Sequence, residues 1–223
     1  MNAAPTHVLV VAKEPLPGRV KTRLCPPFTP EQAARLAAAA LADTLAAAVA
    51  TSATRVILAL DGNPGPWCPR GVEIIEQGHG TLGERLARAW SRAGGPGVQI
   101  GMDTPQVTTA MLDAALGHLD DAVLSPALDG GWWLIGFRSP HPDAFAGVPM
   151  SSPHTYEHQL ARLRSLGLAV RRGETLRDID DAHDAVAVAA AAPDTRFARE
   201  LTALMAERVW GSSCAVAGRS DDG

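Results

Sequence analysis

Short apolar segments alternate with longer helical segments along almost the whole chain, and this alternation limits the folds open to it. Strands are predicted at 7–12, 55–60, 72–76, 98–101, 122–125, 132–137 and 168–171. Helices are predicted at about 29–50, from 81 onward, and at 104–118, 153–166, 182–192 and 195–210. Strands joined through helices make right-handed crossovers and a mostly parallel sheet. The expected fold class is therefore α/β, a three-layer α/β/α arrangement with a Rossmann-type sheet and helices on both faces.

The chain is expected to fold as one domain over residues 1–210. Its 223 residues suit a single hydrophobic core, and no internal segment has the length or composition of a linker. The last segment, 211–223, is small and polar and is predicted to be a disordered tail.

Charge and hydropathy exclude several classes of partner. The net charge is −4, whereas proteins that bind nucleic acids in general carry a basic surplus. No long uncharged apolar segment predicts a membrane span, and the N-terminus lacks the basic flank of a signal peptide. The three cysteines have neither disulfide nor metal-ligand spacing, so a reduced, cytoplasmic location is expected. The heavy use of arginine and alanine, with only two lysines, is typical of a GC-rich bacterial genome. The oligomeric state stays open.

The loop after the first predicted strand is the most basic part of the chain. It holds both lysines of the sequence, Lys13 and Lys21, together with Arg19 and Arg23. In open α/β sheets ligands bind beyond the carboxyl ends of the strands. A turn there can present backbone N–H groups and cations to phosphate. A merely solvated basic loop is the alternative.

Acidic residues lie at two further loops. Asp103 directly follows a predicted strand, where a carboxylate can hold a divalent cation, although Asp and Thr before Pro also open helices. Asp178, Asp180 and Asp181 lie within four residues, and one of them could complete a magnesium site. Asp181 is also a natural N-cap for the helix that follows, and by pattern alone capping is the better interpretation.

Two other motifs have weaker interpretations. The turn Asp129-Gly130-Gly131 before Trp132 could place a carboxylate and an aromatic wall at a pocket, or could simply be a tight turn. His154 and His158 are four residues apart on a predicted helix, but a solvated pair is more common there than a metal site.

Five segments, taken together and in this order, resemble a known family. They are AKEPLPGRVKTRL (12–24), GTLGERL (80–86), GMDTP (101–105), PALDGGWWLIGF (126–137) and DIDDAHD (178–184). The chain resembles bacterial arsenosugar-biosynthesis-type, or radical-SAM/selenodomain-associated, glycosyltransferases. More distantly it is similar to 2-phospholactate and molybdenum-cofactor guanylyltransferases. The resemblance implies a GT-A, nucleotide-diphospho-sugar-transferase fold.

The resemblance also implies roles for particular residues. The first loop, with Ala12, Lys13, Gly18, Lys21 and Arg23, would hold the nucleotide phosphates. Gln77 and Gly83 would border the base. Mg²⁺, or Mn²⁺, would be held by Asp103 and Asp180. The acceptor pocket would comprise Asp129, Gly130, Gly131 and Trp132. Two positions depart from the pattern: Asp181 stands in place of a usual Thr, and Trp132 in place of a usual Tyr.

Three functions are compatible with these expectations. The first is a glycosyltransferase that uses an NDP-sugar donor and a small-molecule acceptor, with Asp129 as the base and Lys21 and Arg23 on the leaving diphosphate. The second is a nucleotidyltransferase that condenses an NTP with a phosphorylated small molecule and releases pyrophosphate. The third is a non-catalytic regulatory protein that binds a nucleotide.

Overall fold

The structure, a computed structural model, describes residues 5–217. Seven strands form one sheet: β1 (His7–Lys13), β2 (Arg55–Asp61), β3 (Glu73–Glu76), β4 (Gly97–Ile100), β5 (Ala122–Pro126), β6 (Trp132–Phe137) and β7 (Val170–Arg172). The described residues also form six α-helices: α1 (Pro30–Val49), α2 (Leu82–Ala93), α3 (Thr109–Gly117), α4 (Thr155–Ser165), α5 (Ala182–Ala191) and α6 (Arg196–Ala217). The first four lie between strands, whereas α5 and α6 follow β7. No helix of the described residues is long and apolar enough to cross a membrane.

The strands lie in the order β3-β2-β1-β4-β6-β5-β7. All neighbouring pairs are parallel except the two that involve β6, which is antiparallel to both β4 and β5. The predicted mostly parallel sheet is therefore confirmed. The tight turn at 127–131 is the reason for the reversal, because a short hairpin can join only antiparallel strands.

Alternating side chains of the central strands pack against helices on both faces of the sheet. Val8 and Val10 belong to a core cluster with residues of α1 and α3, whereas Leu9 packs in a second cluster with residues of α2 and α4. A third cluster joins α1, α5 and α6. The predicted three-layer α/β/α architecture is confirmed, and the two faces are named below the α1 face and the α2 face.

Local sequence explains where α1 and α2 begin. The hydroxyl of Thr29 accepts from the N–H of Gln32, and Thr81 does the same for Glu84. In both cases the side chain three residues on accepts in return from the cap N–H. Both helices therefore begin with a capping box, which is consistent with their predicted starts at 29 and 81.

Two predicted element bounds are wrong. Helix α3 begins at Thr109 with Thr108 as its N-cap, rather than at Thr104, because 104–107 form a separate turn closed by a Val107 N–H to Thr104 carbonyl bond. Helix α6 continues to Ala217, past the expected end at 210, so it covers the first half of the predicted disordered tail. The remainder of that tail, 218–223, lies outside the described residues.

Candidate functional site

A cleft of about 480 Å³ opens at the carboxyl edge of the sheet. It is bordered by the loops that follow β1, β3 and β4, by the 129–131 turn, and by the segment before α5. Its lining includes most of the predicted site residues: Ala12, Lys13, Lys21, Arg23, Gln77, Asp103, Asp129, Gly131, Trp132 and Asp180. The structure thus brings these dispersed residues to one place.

A tight turn shapes the basic loop that begins at Lys13. The Arg19 N–H donates to the Leu16 carbonyl over 3.1 Å, and Gly18 has a φ of 73°. Proline followed by a glycine of positive φ is the pattern of a type II turn. Gly18 does not line the cleft itself; its position in the turn directs the residues after it across the strand ends.

Lys21 is held in an unusual position within that loop. Its φ of 50° and ψ of 36° are left-handed, a region that residues other than glycine seldom adopt. Its side chain is 9% exposed, its ammonium lies 2.5 Å from a carboxylate oxygen of Asp103, and it donates to the Ile179 carbonyl. The buried Lys21 ammonium thus links the basic loop to the end of β4, through Asp103, and to the segment 178–180, through Ile179.

The acidic segment 178–180 runs in extended form along the same edge. Ile179 is 1% exposed and packs in the cluster of α1, α5 and α6, whereas Asp178 and Asp180 both line the cleft. The two carboxylates therefore share a face, because side chains alternate along an extended chain. The Ile179 N–H donates to the Asp103 carbonyl over 3.0 Å, which fixes this segment beside the end of β4.

The carboxylates of the cleft affect one another. Burial raises the pKa of Asp178 to about 7, and the charges of Asp103, Asp129 and Asp180 act in the same direction while Lys21 opposes them. One Asp178 oxygen is buried without a hydrogen-bond partner among the described residues. Four acids at one strand edge form an oxygen-rich, electronegative environment of the kind that suits Mg²⁺ or Mn²⁺.

Two of these acids are paired with cations from the basic loop. Lys21 contacts Asp103, and Arg23 lies 3.2 Å from Asp180. The exposed Arg23–Asp180 pair contributes little to stability by itself. Its importance is geometric, because it places a guanidinium next to a candidate metal ligand.

Asp181, unlike Asp178 and Asp180, does not line the cleft and has a structural role. It is the N-cap of α5: its side chain accepts from the Asp184 N–H over 2.9 Å, within a capping box. The expected capping position is confirmed. Asp181, His183 and Asp184 also bring one donor atom each within 4.8 Å of one another, but Asp184 already binds Arg177 over 2.7 Å.

The 129–131 turn forms the far wall of the cleft. One oxygen of Asp129 accepts from the Gly131 N–H over 2.8 Å, so the carboxylate is oriented by its own turn. Gly130 has a φ of 88°, and a Cβ there would overlap the Pro153 carbonyl. Gly130 therefore supports the pocket from behind rather than lining it. Trp132 lines the cleft with its indole N–H buried and without an acceptor among the described residues.

Gln77 and Gly83 differ from their expected positions. The Gln77 side chain is buried and fully engaged: its amide donates to the Ala12 and Ala59 carbonyls over 2.7 and 3.0 Å, and its oxygen accepts from Arg85. It therefore braces the strand ends at the cleft wall. Gly83 lies outside the cleft and lines a neighbouring groove instead. It packs closely against the Phe145 carbonyl, which would lie only 3.2 Å from a Cβ at this position.

Arg85 was not among the predicted site residues. It projects from α2 into the cleft and donates to Gln77 over 2.8 Å. The segment GTLGERL by itself does not indicate a role for Arg85, because the residue that orients it, Gln77, lies outside that segment at the end of β3. His154 and His158 lie outside the cleft, with their rings 6.4 Å apart at the start of α4.

Solved structures with this fold include nucleotide-dependent transferases. The chain is similar to a candidate nucleotide-diphospho-sugar transferase from Desulfovibrio desulfuricans G20, with 26% identity, a TM-score of 0.82 and coverage of 93% of this chain and 96% of that one. It is also similar to 2-C-methyl-D-erythritol 4-phosphate cytidylyltransferase from Thermus thermophilus, with 19% identity, a TM-score of 0.52 and coverage of 84% and 98%.

A third similar structure is a CMP:2-keto-3-deoxy-manno-octonic acid synthetase complexed with CTP, with 13% identity, a TM-score of 0.53 and coverage of 84% and 98%. The last two likenesses show the fold alone. A search of the curated proteins gave no match.

The family model described as "Uncharacterized protein conserved in bacteria (DUF2064)" matches residues 33–152. That match spans more than half of the chain, which therefore belongs to the DUF2064 family.

Proposed function

We propose that this protein is a Mg²⁺- or Mn²⁺-dependent transferase that uses a nucleotide-activated donor, and that it transfers a glycosyl group from an NDP-sugar to a small acceptor. One observation carries the proposal: the cations Lys21 and Arg23 are interleaved with the carboxylates Asp103 and Asp180 at one strand edge. A diphosphate with its divalent cation needs both kinds of group side by side.

On the donor side, Asp103 and Asp180 would hold the cation, which supplies charge neutralisation for the diphosphate. Lys21, Arg23 and the loop around Gly18 would contact the phosphate oxygens. Because the Gln77 side chain is fully engaged, the base would meet the backbone near Ala12 and Lys13 rather than the Gln77 amide.

On the acceptor side, Asp129 would accept the proton of the attacking hydroxyl. One of its oxygens is held by the Gly131 N–H, and the other accepts no hydrogen bond from the described residues. Its charge also acts on Asp178, which places it near the acidic cluster. In the reaction the new bond joins the acceptor oxygen to the anomeric carbon, the bond to the diphosphate oxygen breaks, and the NDP leaves with the bonding electrons.

Nucleotidyl transfer is the second candidate, and the charge of the basic loop favours it. Four cations, Lys13, Arg19, Lys21 and Arg23, lie within eleven residues of a chain whose net charge is −4. That density suits a triphosphate whose pyrophosphate leaves as a substrate phosphate attacks the α-phosphorus. The resemblance to glycosyltransferases of the arsenosugar-biosynthesis type and the 26% identical structure support the first candidate.

The test is a screen of NTPs and NDP-sugars with Mg²⁺ in which pyrophosphate and NDP release are assayed separately, with Asp103→Asn as the inactive control. Release of NDP that depends on an added acceptor supports glycosyl transfer, whereas release of pyrophosphate supports the second candidate. Nucleotide binding without either product would leave only a regulatory role.

We also propose a cytoplasmic location, where nucleotide donors are available and the thiols of Cys25 and Cys68 stay free.

A further inference from the structure

The cleft has two chemically different halves. The half toward the α1 face holds the basic loop and the acids, and its apolar walls, Val20 and Met102, belong to the α1-face cluster. The half toward the α2 face is lined by residues that belong to the α2-face cluster: Val11, Leu82, Leu86, Trp132 and Met150. In the proposed function, the metal and phosphate groups would occupy only the first half.

Arg85 is the cation of the apolar half, and its guanidinium is rigidly supported. One terminal nitrogen donates to the oxygen of Gln77, a residue that is 2% exposed and is tied by its amide to two strand carbonyls. No carboxylate of the described residues lies within ion-pair distance of Arg85. Arg85 is half-buried and lines the cleft without a counter-ion in the described part of the chain, so its charge is available to an anionic ligand.

Two buried donors in this half lack acceptors. The Nε of Arg85 and the indole nitrogen of Trp132 are both buried, and neither has a hydrogen-bond partner among the described residues. Both groups can only donate. Buried donors without partners are rare in native proteins. Because protein atoms already cover both nitrogens, they show that this half is poor in protein acceptors, and a ligand would meet the Arg85 guanidinium where that side chain lines the cleft.

From these observations we infer that the apolar half of the cleft binds the acceptor, and that the acceptor carries an anionic group, a carboxylate or a phosphate, which Arg85 holds. The inference rests on the proposed function and adds the chemical class of its second substrate. An arginine matches the two oxygens of such a group with parallel N–H donors. The aromatic and aliphatic walls suit an apolar body attached to that group.

The experiment follows the Arg85 Nε–H resonance by ¹⁵N NMR, with Arg85→Lys used to assign it. Three probes share an aromatic body but differ in charge: benzoate, phenyl phosphate and benzyl alcohol. Each probe is titrated into the metal-free and nucleotide-free protein. In a separate experiment, CTP, GTP, UDP-glucose or GDP-mannose is titrated into the protein with Mg²⁺ and without any probe. Arg88 is the matched control, because it lies on the same helix and donates to the Gln77 carbonyl over 2.7 Å but does not line the cleft.

We expect benzoate or phenyl phosphate, but not benzyl alcohol, to shift the Arg85 signal. We also expect Arg85→Gln to weaken binding of that probe at least about tenfold while Arg88→Gln leaves it unchanged. The inference is overturned if the neutral probe binds as well as the anions, or if no probe shifts the signal. It is also overturned if a nucleotide alone shifts the signal and Arg85→Gln weakens nucleotide binding, because the anion held would then belong to the donor. Since the probe arm contains neither nucleotide nor metal, its result does not depend on whether the proposed reaction occurs.

Discussion

The ammonium of Lys21 and the carboxylate of Asp103 lie 2.5 Å apart, and the same ammonium donates to the Ile179 carbonyl. The Lys21 side chain is 9% exposed, whereas that of Asp103 is 44% exposed. One carboxylate thus faces a protein cation on its buried side and the cleft on the other. A divalent cation bound at Asp103 would have to share the carboxylate with Lys21. We therefore expect the lysine to lower the affinity of the empty cleft for metal and to raise its affinity for phosphate.

Replacement of Lys21 by Met should therefore have opposite effects on two ligands. Without nucleotide, Mn²⁺ should bind more tightly by about 1 kcal/mol or more, because the nearest positive charge is gone. Nucleotide should bind more weakly by about 1–3 kcal/mol, because a charge-assisted phosphate contact is lost. Loss of the free Mn²⁺ signal in EPR measures the first effect, and calorimetry measures the second. Lys13→Met is the control for Mn²⁺ binding, since Lys13 pairs with no carboxylate of the described residues; equal Mn²⁺ affinities in all three proteins would contradict the argument.

Asp103 has two parts that a single substitution can separate. Helix α3 begins at Thr109 with Thr108 as its cap, so the Asp103 side chain caps no helix, but its carboxylate is the counter-ion of the buried Lys21 ammonium. Asp103→Asn should lower the free energy of unfolding by about 1 kcal/mol or more, because the amide leaves that ammonium without a negative partner. It should abolish metal-dependent nucleotide binding, because a neutral amide is a poor magnesium ligand. Urea unfolding and calorimetry with and without Mg²⁺ test both parts, and retained metal dependence would remove Asp103 from the metal site.

The three neighbouring acids should separate into different roles. Asp180→Ala should lose metal-dependent nucleotide binding, since Asp180 lines the cleft and faces the basic loop. Asp181→Ala should instead reduce stability by about 1 kcal/mol, because it removes the N-cap of α5. A Mg²⁺ titration and a thermal melt of each variant distinguish the two. If Asp178→Ala is instead the variant that loses metal dependence, the second ligand is Asp178, two residues before the position that the family resemblance implies.

Local patterns predicted the fold and the strand-edge location of the site, whereas the pairings within the site depend on contacts distant in sequence. The capping boxes at Thr29 and Thr81 operate within four residues, so the sequence alone reveals them. Thr104-Pro105 has an equally good local pattern, yet the helix starts later, because Thr108 supplies the cap that is used. Arg85 gains its importance only from Gln77, which is buried through contacts with β1 and β2. No spacing within one segment reports such an arrangement.

Replacement of Gly130 should cost more stability than replacement of a glycine that has a similar φ but open space around it. Its φ of 88° is unfavourable for other residues, and a Cβ would overlap the Pro153 carbonyl, a backbone atom that cannot move by itself. Gly147 has a comparable φ of 72° but open space around its Cβ position, so it isolates the cost of backbone strain. Gly130→Ala should lower the free energy of unfolding by more than about 2 kcal/mol, twice the effect of Gly147→Ala or more. Similar losses in urea unfolding would show that the Pro153 segment moves freely.

The dependence of stability on pH involves His7, at the opposite end of β1 from the cleft. His7 is 1% exposed, and its ring meets that of Trp90 edge-on with centroids 5.1 Å apart. Burial, helped by the charge of Arg55, lowers the pKa of His7 from 6.5 to about 4, against smaller opposing effects of the Pro96 backbone and Glu73. The folded protein therefore keeps this imidazole neutral throughout the mildly acidic range.

The sign of the effect follows from proton uptake. Below pH 6.5 the unfolded chain protonates its histidine while the folded chain does not, so acid favours unfolding. Stability from this group is complete above pH 6.5 and is lost as the pH falls toward 4. The total is on the order of 3 kcal/mol, of which about 2 kcal/mol is lost between about pH 6.5 and pH 5. Urea unfolding at these two pH values should show a smaller loss for His7→Leu than for the natural chain. The exposed His79 is the control: His79→Gln should keep the full dependence, and an unchanged slope in His7→Leu would show that His7 is already charged in the folded protein.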